Sequence, residues 1–387
     1  MTDEREERLE QLRNLRENSE AYSYNFDRSH TVEELQDFDE GNEGELPEDE
    51  FSTAGRVMEI RDFGELVFLD LRGEREEIQI IVRDDEELLE DVEGLYRGDI
   101  VGVEGTLTYT DKGEFSLMSQ DLEVLSRGVR HVPKEHFGVE DEELQYRNRA
   151  LHLITDMEAR DAFRTRSQII SEIRDFLEDR EFMEVETPTI QPVYGGAAAE
   201  PFTTHVNALD QEHYLNISPE LYLKRLIIGG YERIFEITKN FRNESIDTTH
   251  NPEFTMMEIY QAYADYEDMM ALMEQLYERV AIEATGSAEV EYQGDTLDFS
   301  APWPRMTMRE AIQEYGGFDV QELSDEEIRE RMEEHRAELD SDYERGLAIA
   351  ELFEEVAEEN LIQPVHIIDH PEETTPLCMQ HRDEDGL

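Results

Sequence analysis

The chain has 387 residues, too many for one ordinary core, so two or more domains are expected. Hydrophobic residues make up 38% and aromatic residues 9%, which supports packed cores. Against 35 basic residues stand 98 acidic ones, a net charge of −63, which excludes binding of nucleic acid through a generally basic surface.

At ordinary salt this self-repulsion opposes compaction. Disorder is one reading, but regular apolar periodicity runs through the chain. The alternative is a protein of a halophile-like acidic proteome, working in a salt-rich cytoplasm where the Debye length is about 3 Å at 1 M. Such a surface leaves room for a nucleic-acid partner that is held by more than phosphate neutralisation. A single cysteine, Cys378, excludes an internal disulfide framework and suits a reducing compartment. No apolar run approaches the roughly 18 residues of a membrane span. The charged start "MTDEREERLEQLRNLREN" has no signal-peptide core. No membrane association and a cytoplasmic location are therefore expected.

In chain order, residues 3 to about 18 read as a solvated helix with Leu9, Leu12 and Leu15 at three-residue spacing. That stripe suits docking or a role in binding RNA. Residues 1–50 are taken as this helix and an acidic linker, "DFDEGNEGELPEDE". From Phe51, short alternating runs such as "ELVFLDLRG" and "EEIQIIVRD" lie between glycine-bearing turns. Five such strands over residues 51–128 predict a small β-barrel, with the OB-fold as the leading candidate. Residues 129–154 read as a connector.

The character changes at about residue 155. Phe163, Ile169, Ile170, Ile173, Phe176 and Leu177 recur at helical spacing. "MEVETPTI" follows as a strand, in which Pro188 needs an edge or an end. "GGAAAEPFTTHV" is a small-residue loop. In "SPELYLKRLIIGG", Ser218 suits an N-cap, Pro219 the first turn and Gly229 the end of a helix. "DYEDMMALMEQLYERVAIEATG" is an amphipathic helix. Residues 322–345 are acidic and helix-prone, and read as a peripheral insertion. A helix running into a strand closes the pattern, at "YERGLAIAELFEEVAEENLIQPVHIID".

The stretch "NFRNESIDTTHNPEFTMMEIY" carries the densest chemistry. As strands, its flanks place Ile234, Glu236, Asn240, Arg242 and Glu244 on one face, and Phe254, Met256, Glu258 and Tyr260 on another. If these faces coincide across an antiparallel pair, one wall offers a guanidinium fork, carboxylates, an aromatic ring and a phenol. Arginine forks hold phosphate or carboxylate. A phenylalanine can stack on a base. Glu258 with Tyr260 suits an ammonium, and His250 and Asn251 can reach phosphates from the loop. The alternative is Phe254 as core filler and Arg242–Glu244 as a surface pair.

"FRNES…HNPEFTMMEIYQAYADY" resembles motif 2 of the class II aminoacyl-tRNA synthetases in its lysyl form. The segment from "RSQIISEIRDFLEDREF" to "IFEITKNFRNE" is similar to the lysyl-tRNA synthetase core from motif 1 to motif 2. "HNPEFTMME" and "GGAAAEPF" separate it from the aspartyl and asparaginyl relatives. The resemblance implies an α+β protein. An N-terminal OB-fold β-barrel would read the anticodon, and a class II synthetase antiparallel sheet flanked by helices would fill residues 155–387. It further implies a homodimer, with the motif 1 helix and the region of Pro188 at the interface. The reaction implied is activation of lysine by ATP, with Mg2+, to lysyl-adenylate, followed by transfer to tRNA(Lys).

By the same resemblance, Arg242 and Glu244 are the catalytic pair. Arg242 would hold the α-phosphate and the lysine carboxylate, and Glu244 the adenine amino group. His250, Asn251 and Phe254 would bind ATP. Glu258 and Tyr260 would take the lysine ε-ammonium, with Gly196 and Glu220 near its α-amino group. Arg61, Phe68 and Gln79 would contact anticodon bases. Glu65 and Val67 depart from the usual Lys and Ser. The Gly-x-Gly-x-Gly-x-x-Arg pattern of motif 3 is not found, and "PLCMQHR" departs from the usual "PLAK". A C-terminally truncated chain is therefore expected, lacking the last part of the catalytic sheet and the metal carboxylates. The alternative function is an inactive fragment that binds tRNA through its barrel.

Overall fold

The computed structural model describes residues 2–17, 23–41, 46–83, 88–89, 92–133, 142–339, 342–374, 379 and 381. Cys378, most of "PLCMQHR" and part of the expected connector lie outside them. The chain forms two compact units, Met1–Phe163 and Arg164–Leu387.

In the first unit, helix α1 spans Thr2–Glu17. Leu12 of its stripe is buried, and so is Arg8, whose guanidinium donates to the Gly128 carbonyl at 3.1 Å and lies 4.1 Å from the Tyr96 ring centre. Helix α2 spans Val32–Gly41, where a linker was expected over its second half. The signal was present in the sequence: Thr31 and Glu34 form a capping box, each side chain accepting the other's backbone N–H. Val32 and Leu35 are fully buried in the barrel's core.

The barrel strands are β1 (Glu50–Asp62), β2 (Leu66–Arg72), β3 (Glu77–Arg83), β4 (Ile100–Tyr109) and β5 (Phe115–Ser126). They close in the order β1-β2-β3-β5-β4, with β3 and β5 parallel. Alternation fills the interior with Leu69, Leu71, Ile78, Ile80, Val101, Val103 and Leu117. Val67 is also turned inward, so it is not on the outer face that Phe68 occupies. Short helices α3 (Glu142–Arg147) and α4 (Arg149–Thr155) follow the barrel, and α5 (Met157–Glu178) carries the predicted helical apolar run.

In the second unit, "MEVETPTI" is not one strand. It makes β6 (Met183–Glu184) and β7 (Ile190–Gln191), with Pro188 in neither, because proline lacks the N–H that a ladder needs. Strands β8 (Thr203–Val206) and β9 (Gln211–Leu215) join β7 in the order β7-β9-β8. Helix α6 spans Glu220–Ile228 and ends at Gly229. Strands β10 (Arg233–Phe241) and β11 (Glu253–Gln261) are antiparallel, and β6 adds to β10 in parallel, so the sheet is mixed. Helix α7 (Tyr266–Thr285) starts at a capping box of Asp265 and Asp268.

One face of the β10–β11 pair packs on α5 and α7. Phe235, Ile237, Met257 and Ile259 meet Phe176, Leu177, Leu272 and Leu276. Each fully buried side chain of this size contributes about 1.5–3 kcal/mol. A hairpin of β12 (Glu289–Tyr292) and β13 (Asp295–Asp298) follows. Beyond it come β14 (Arg305–Thr307), α8 (Met308–Ala311), α9 (Asp325–His335), α10 (Arg345–Val356) and β15 (His366–Ile368). β14 and β15 pair in parallel. The acidic, helix-prone stretch 322–345 does contain helix α9, whose Ile328 and Met332 are buried against Met308, Ile312 and Leu352 in a cluster separate from the β10–β11 core. Its acidic residues form only the outer face of an amphipathic helix.

Candidate active site and nucleic-acid face

The register settles whether the two faces of the motif coincide. Ile234 lies opposite Tyr260, Glu236 opposite Glu258, Thr238 opposite Met256 and Asn240 opposite Phe254. Residues directly opposite share a face of an antiparallel pair, so both sets form one wall. Its other side holds the Phe235 core, which leaves this wall for polar chemistry.

Arg242 lies just past β10, where its backbone N–H donates to the Pro252 carbonyl and prolongs the ladder. Its guanidinium lies 5.2 Å from the Phe254 ring centre. Among the described residues it has no carboxylate partner, and its Nε is buried without a hydrogen bond. A half-buried cation whose Nε is desolvated favours an anionic ligand. Phe254 is half-buried beside it, not core filler. Glu244 is exposed and does not pair with Arg242; its carboxylate accepts the Glu200 backbone N–H at 3.1 Å. The Asn243 N–H returns a bond to the Glu200 carbonyl, which ties the small-residue loop to this turn.

The loop between the strands is shaped by Asp247. Its carboxylate accepts from the Thr249 and His250 backbone N–H groups and faces the His250 ring at 2.8 Å. The Thr249 N–H first, then the His250 side chain, hold Asp247 well below the usual carboxylate range. His250 thus makes its hydrogen bonds within its own loop. Asn251 is exposed, and no hydrogen bond of its side chain occurs among the described residues.

Farther along the wall, Glu258 accepts two hydroxyl donors. Ser218 Oγ donates to one oxygen at 2.6 Å and Tyr260 Oη to the other at 3.0 Å. Burial, then the Glu258 charge, push the Tyr260 phenol above its ordinary range, so it stays a donor. Glu236 is buried directly opposite Glu258, an arrangement that costs repulsion unless its charge is stabilised. The Thr187 N–H and hydroxyl each donate to Glu236 at 2.8 Å.

Ser218 stands one residue before the helix cap expected of it. Pro219 occupies the cap position, and Ser218 Oγ accepts the Glu220 N–H at 3.1 Å. Glu220 holds the Lys224 ammonium at 2.7 Å, one turn along α6. Gly196 adopts a φ of +93°, and a Cβ there would lie 2.9 Å from both Ser218 Oγ and the Glu220 Cβ. Only glycine fits that approach without strain. The structure therefore joins Gly196, Glu220, Glu258 and Tyr260 around Ser218, and Arg242 to Phe254. Sequence reasoning missed Thr187, which lies 49 residues from Glu236. It also missed Asn216, which donates to the buried Asn240 side chain at 2.8 Å. No spacing rule reaches across such separations.

On the barrel, Arg61, Phe68 and Gln79 also meet. Arg61 pairs in register with Phe68 and lies 5.9 Å from its ring centre. Its guanidinium forks onto both Asp70 oxygens, at 2.9 and 2.8 Å, and donates to Gln79 at 2.8 Å. Gln79 donates on to Ser116. Burial raises the Asp70 carboxyl despite the opposing pull of Arg61. Phe63 stands exposed, edge-on to Phe68 with ring centres 6.1 Å apart. These aromatic faces suit stacking on bases, with hydrogen-bonding groups alongside.

Residues 141–387 match the family of tRNA synthetases class II (D, K and N), and residues 51–125 match the OB-fold nucleic acid binding domain. A lysine–tRNA ligase of Methanoculleus marisnigri is 46% identical over 98% of this chain and 76% of the relative. One of Escherichia coli O157:H7 is 44% identical over 98% of this chain and 77% of the relative. One of Clostridium novyi is 42% identical over 98% and 76%. With a barrel, a mixed sheet and relatives that extend along nearly all of its length, the chain belongs to the lysine–tRNA ligase family of class II tRNA synthetases.

Proposed function

We propose that this chain activates lysine with ATP to lysyl-adenylate and pyrophosphate, and then transfers lysine to the 3′ end of tRNA(Lys). The observation that carries the reading is the single wall of β10 and β11. At one end it offers an arginine that has no carboxylate partner among the described residues, beside an aromatic face, and at the other a carboxylate held ready by two hydroxyls. In this reading the Arg242 guanidinium holds the α-phosphate and the lysine carboxylate, bringing nucleophile and phosphorus together. Charge that builds on the phosphoryl oxygens is then met by this cation. Phe254 stacks on adenine and Glu244 accepts from its amino group. His250 and Asn251 contact the phosphates from a loop that Asp247 shapes.

Glu258 and Tyr260 receive the lysine ε-ammonium, and Glu220 beside Gly196 receives the α-amino group. Among the described residues no cluster of three or more His, Cys, Asp or Glu side chains could hold a metal ion. Magnesium enters this reaction with the ATP phosphates, whose charge it offsets. Phe68, Arg61 and Gln79 contact anticodon bases. A homodimer and a salt-rich cytoplasm complete the proposal; the charge of −63 supports the latter. No described helix is long and apolar enough to cross a membrane.

The test is ATP–pyrophosphate exchange in molar KCl with lysine, aspartate or asparagine as the amino acid. Exchange that depends on lysine alone is expected. Exchange driven by aspartate or asparagine, or none with lysine, overturns the assignment.

A further inference from the structure

We infer that Ser218 is a positioning residue for recognition of the amino acid, holding Glu258 in the orientation that receives the substrate ammonium. The inference rests on the proposed role of Glu258.

The wall puts two carboxylates directly opposite each other, Glu236 and Glu258. Their repulsion drives the side chains apart unless donors fix them. Glu236 is buried and has both oxygens occupied by Thr187, so it is fixed. Glu258 is free to turn toward a ligand only within the limits set by its own donors. Tyr260 grips one oxygen from the same strand, two residues away. A single donor leaves a carboxylate free to pivot about that bond. The Ser218 hydroxyl supplies the second contact, from a different element, at the shorter distance of 2.6 Å. An O–H···O− bond this short is charge-assisted, and stronger than a neutral one.

Ser218 is itself immobile, with 2% exposure. Its oxygen accepts the Glu220 N–H, so its one proton is directed to Glu258. It also underlies the Gly196 loop, where an added Cβ would come within 2.9 Å of it. One hydroxyl thus sets the carboxylate for the ε-ammonium relative to the two groups proposed for the α-amino end. The distance between the two ammonium sites selects side-chain length, and Ser218 is the link between them.

Ser218→Ala removes the donor with little change in volume. Loss of a charge-assisted hydrogen bond of this kind is expected to weaken lysine binding about tenfold. Binding of lysine and of ATP is measured separately by titration calorimetry, with Glu258→Gln in parallel and a thermal melt of each protein. The expected result is a tenfold loss for lysine with ATP binding within about twofold of the parent. Loss of the Glu220 contact lowers the melting temperature of Ser218→Ala, but a merely structural role does not weaken lysine without also weakening ATP. If lysine binding is unchanged, or falls in step with ATP binding, while Glu258→Gln weakens lysine binding tenfold or more, the role of Ser218 is overturned and that of Glu258 stands. If Glu258→Gln binds lysine like the parent, the underlying reading fails and the inference falls with it.

Discussion

Two sheet faces of this molecule use nearly the same residues to opposite effect. On the barrel, Arg61 lies over Phe68, yet Asp70 accepts from both of its terminal nitrogens and Gln79 from one of them. In the second unit, Arg242 lies over Phe254 and, among the described residues, has no carboxylate on it and a buried Nε without a partner. The sequence signal is alike, an arginine and a phenylalanine on facing strands. The difference lies in the number of acceptors already within reach. Arg61 is part of a hydrogen-bonded network beside the half-buried Phe68 ring. Arg242 is a half-buried cation with a desolvated Nε, and its terminal nitrogens are left for a ligand's anion.

That contrast makes the largest prediction a divergent pair. Arg242→Ala is expected to lower lysine-dependent ATP–pyrophosphate exchange by about 10²- to 10³-fold, the scale for removing one stabilising group from a transition state. It should leave the thermal midpoint of the protein close to that of the parent. Arg61→Ala should do the reverse to the barrel, costing about 1–2 kcal/mol by urea denaturation. That figure lies between the values for exposed and buried pairs, since Asp70 is left alone but not fully buried. Equal stability losses for the two variants would erase the distinction. Next in size, Glu258→Gln is expected to raise the KM for lysine about 10- to 100-fold, as a charge-assisted contact to the ammonium becomes neutral. A KM that rises for ATP instead would move Glu258 out of the lysine pocket.

How far the two faces were legible from sequence follows from the range of each interaction. Alternation assigned Glu258 and Tyr260 to one face of a strand because side chains repeat every second residue. The barrel was legible for the same reason, through short runs between glycines. The coincidence of the Arg242 and Phe254 faces depended on register, since a slip of one residue turns a whole strand over. Helix α2 was overlooked although "TVEE" announces its capping box, because its acidic residues resembled a linker. The acidic α9 was legible as a helix; its two buried residues, Ile328 and Met332, fix it in a core of its own part of the chain. Ser218 was noticed only for its place before a helix. Its bond to Glu258 spans 40 residues, and no local pattern encodes that approach.

Smaller effects sharpen the comparison of the aromatic rings. Base stacking is worth about 1–3 kcal/mol by alanine substitution, so each ring should matter about tenfold, but for a different ligand. Phe254→Ala is expected to raise the KM for ATP, and Phe68→Ala the KM for tRNA in aminoacylation. Both substitutions acting on the same ligand would show that the two faces are not separate sites.

The smallest expected effect concerns protons. Tyr260 is held above the ordinary phenol value of 10.0, by burial first and then by the Glu258 charge. A group whose folded pKa is raised stabilises the fold fully below its unfolded value, and this contribution declines as pH rises above about 10. Through that ordinary range Tyr260 therefore stays protonated and continues to donate to Glu258. Its barrel counterpart, Asp70, is also raised by burial, but it is a carboxyl: its charge is opposed by burial and favoured by Arg61. Ultraviolet difference absorbance of the parent and of Tyr260→Phe, titrated upward from neutral pH, should give curves that coincide until alkaline unfolding. A phenolate step near pH 10 that disappears in Tyr260→Phe would mean that Glu258 does not hold this proton, leaving Ser218 as its only hydroxyl donor among the described residues.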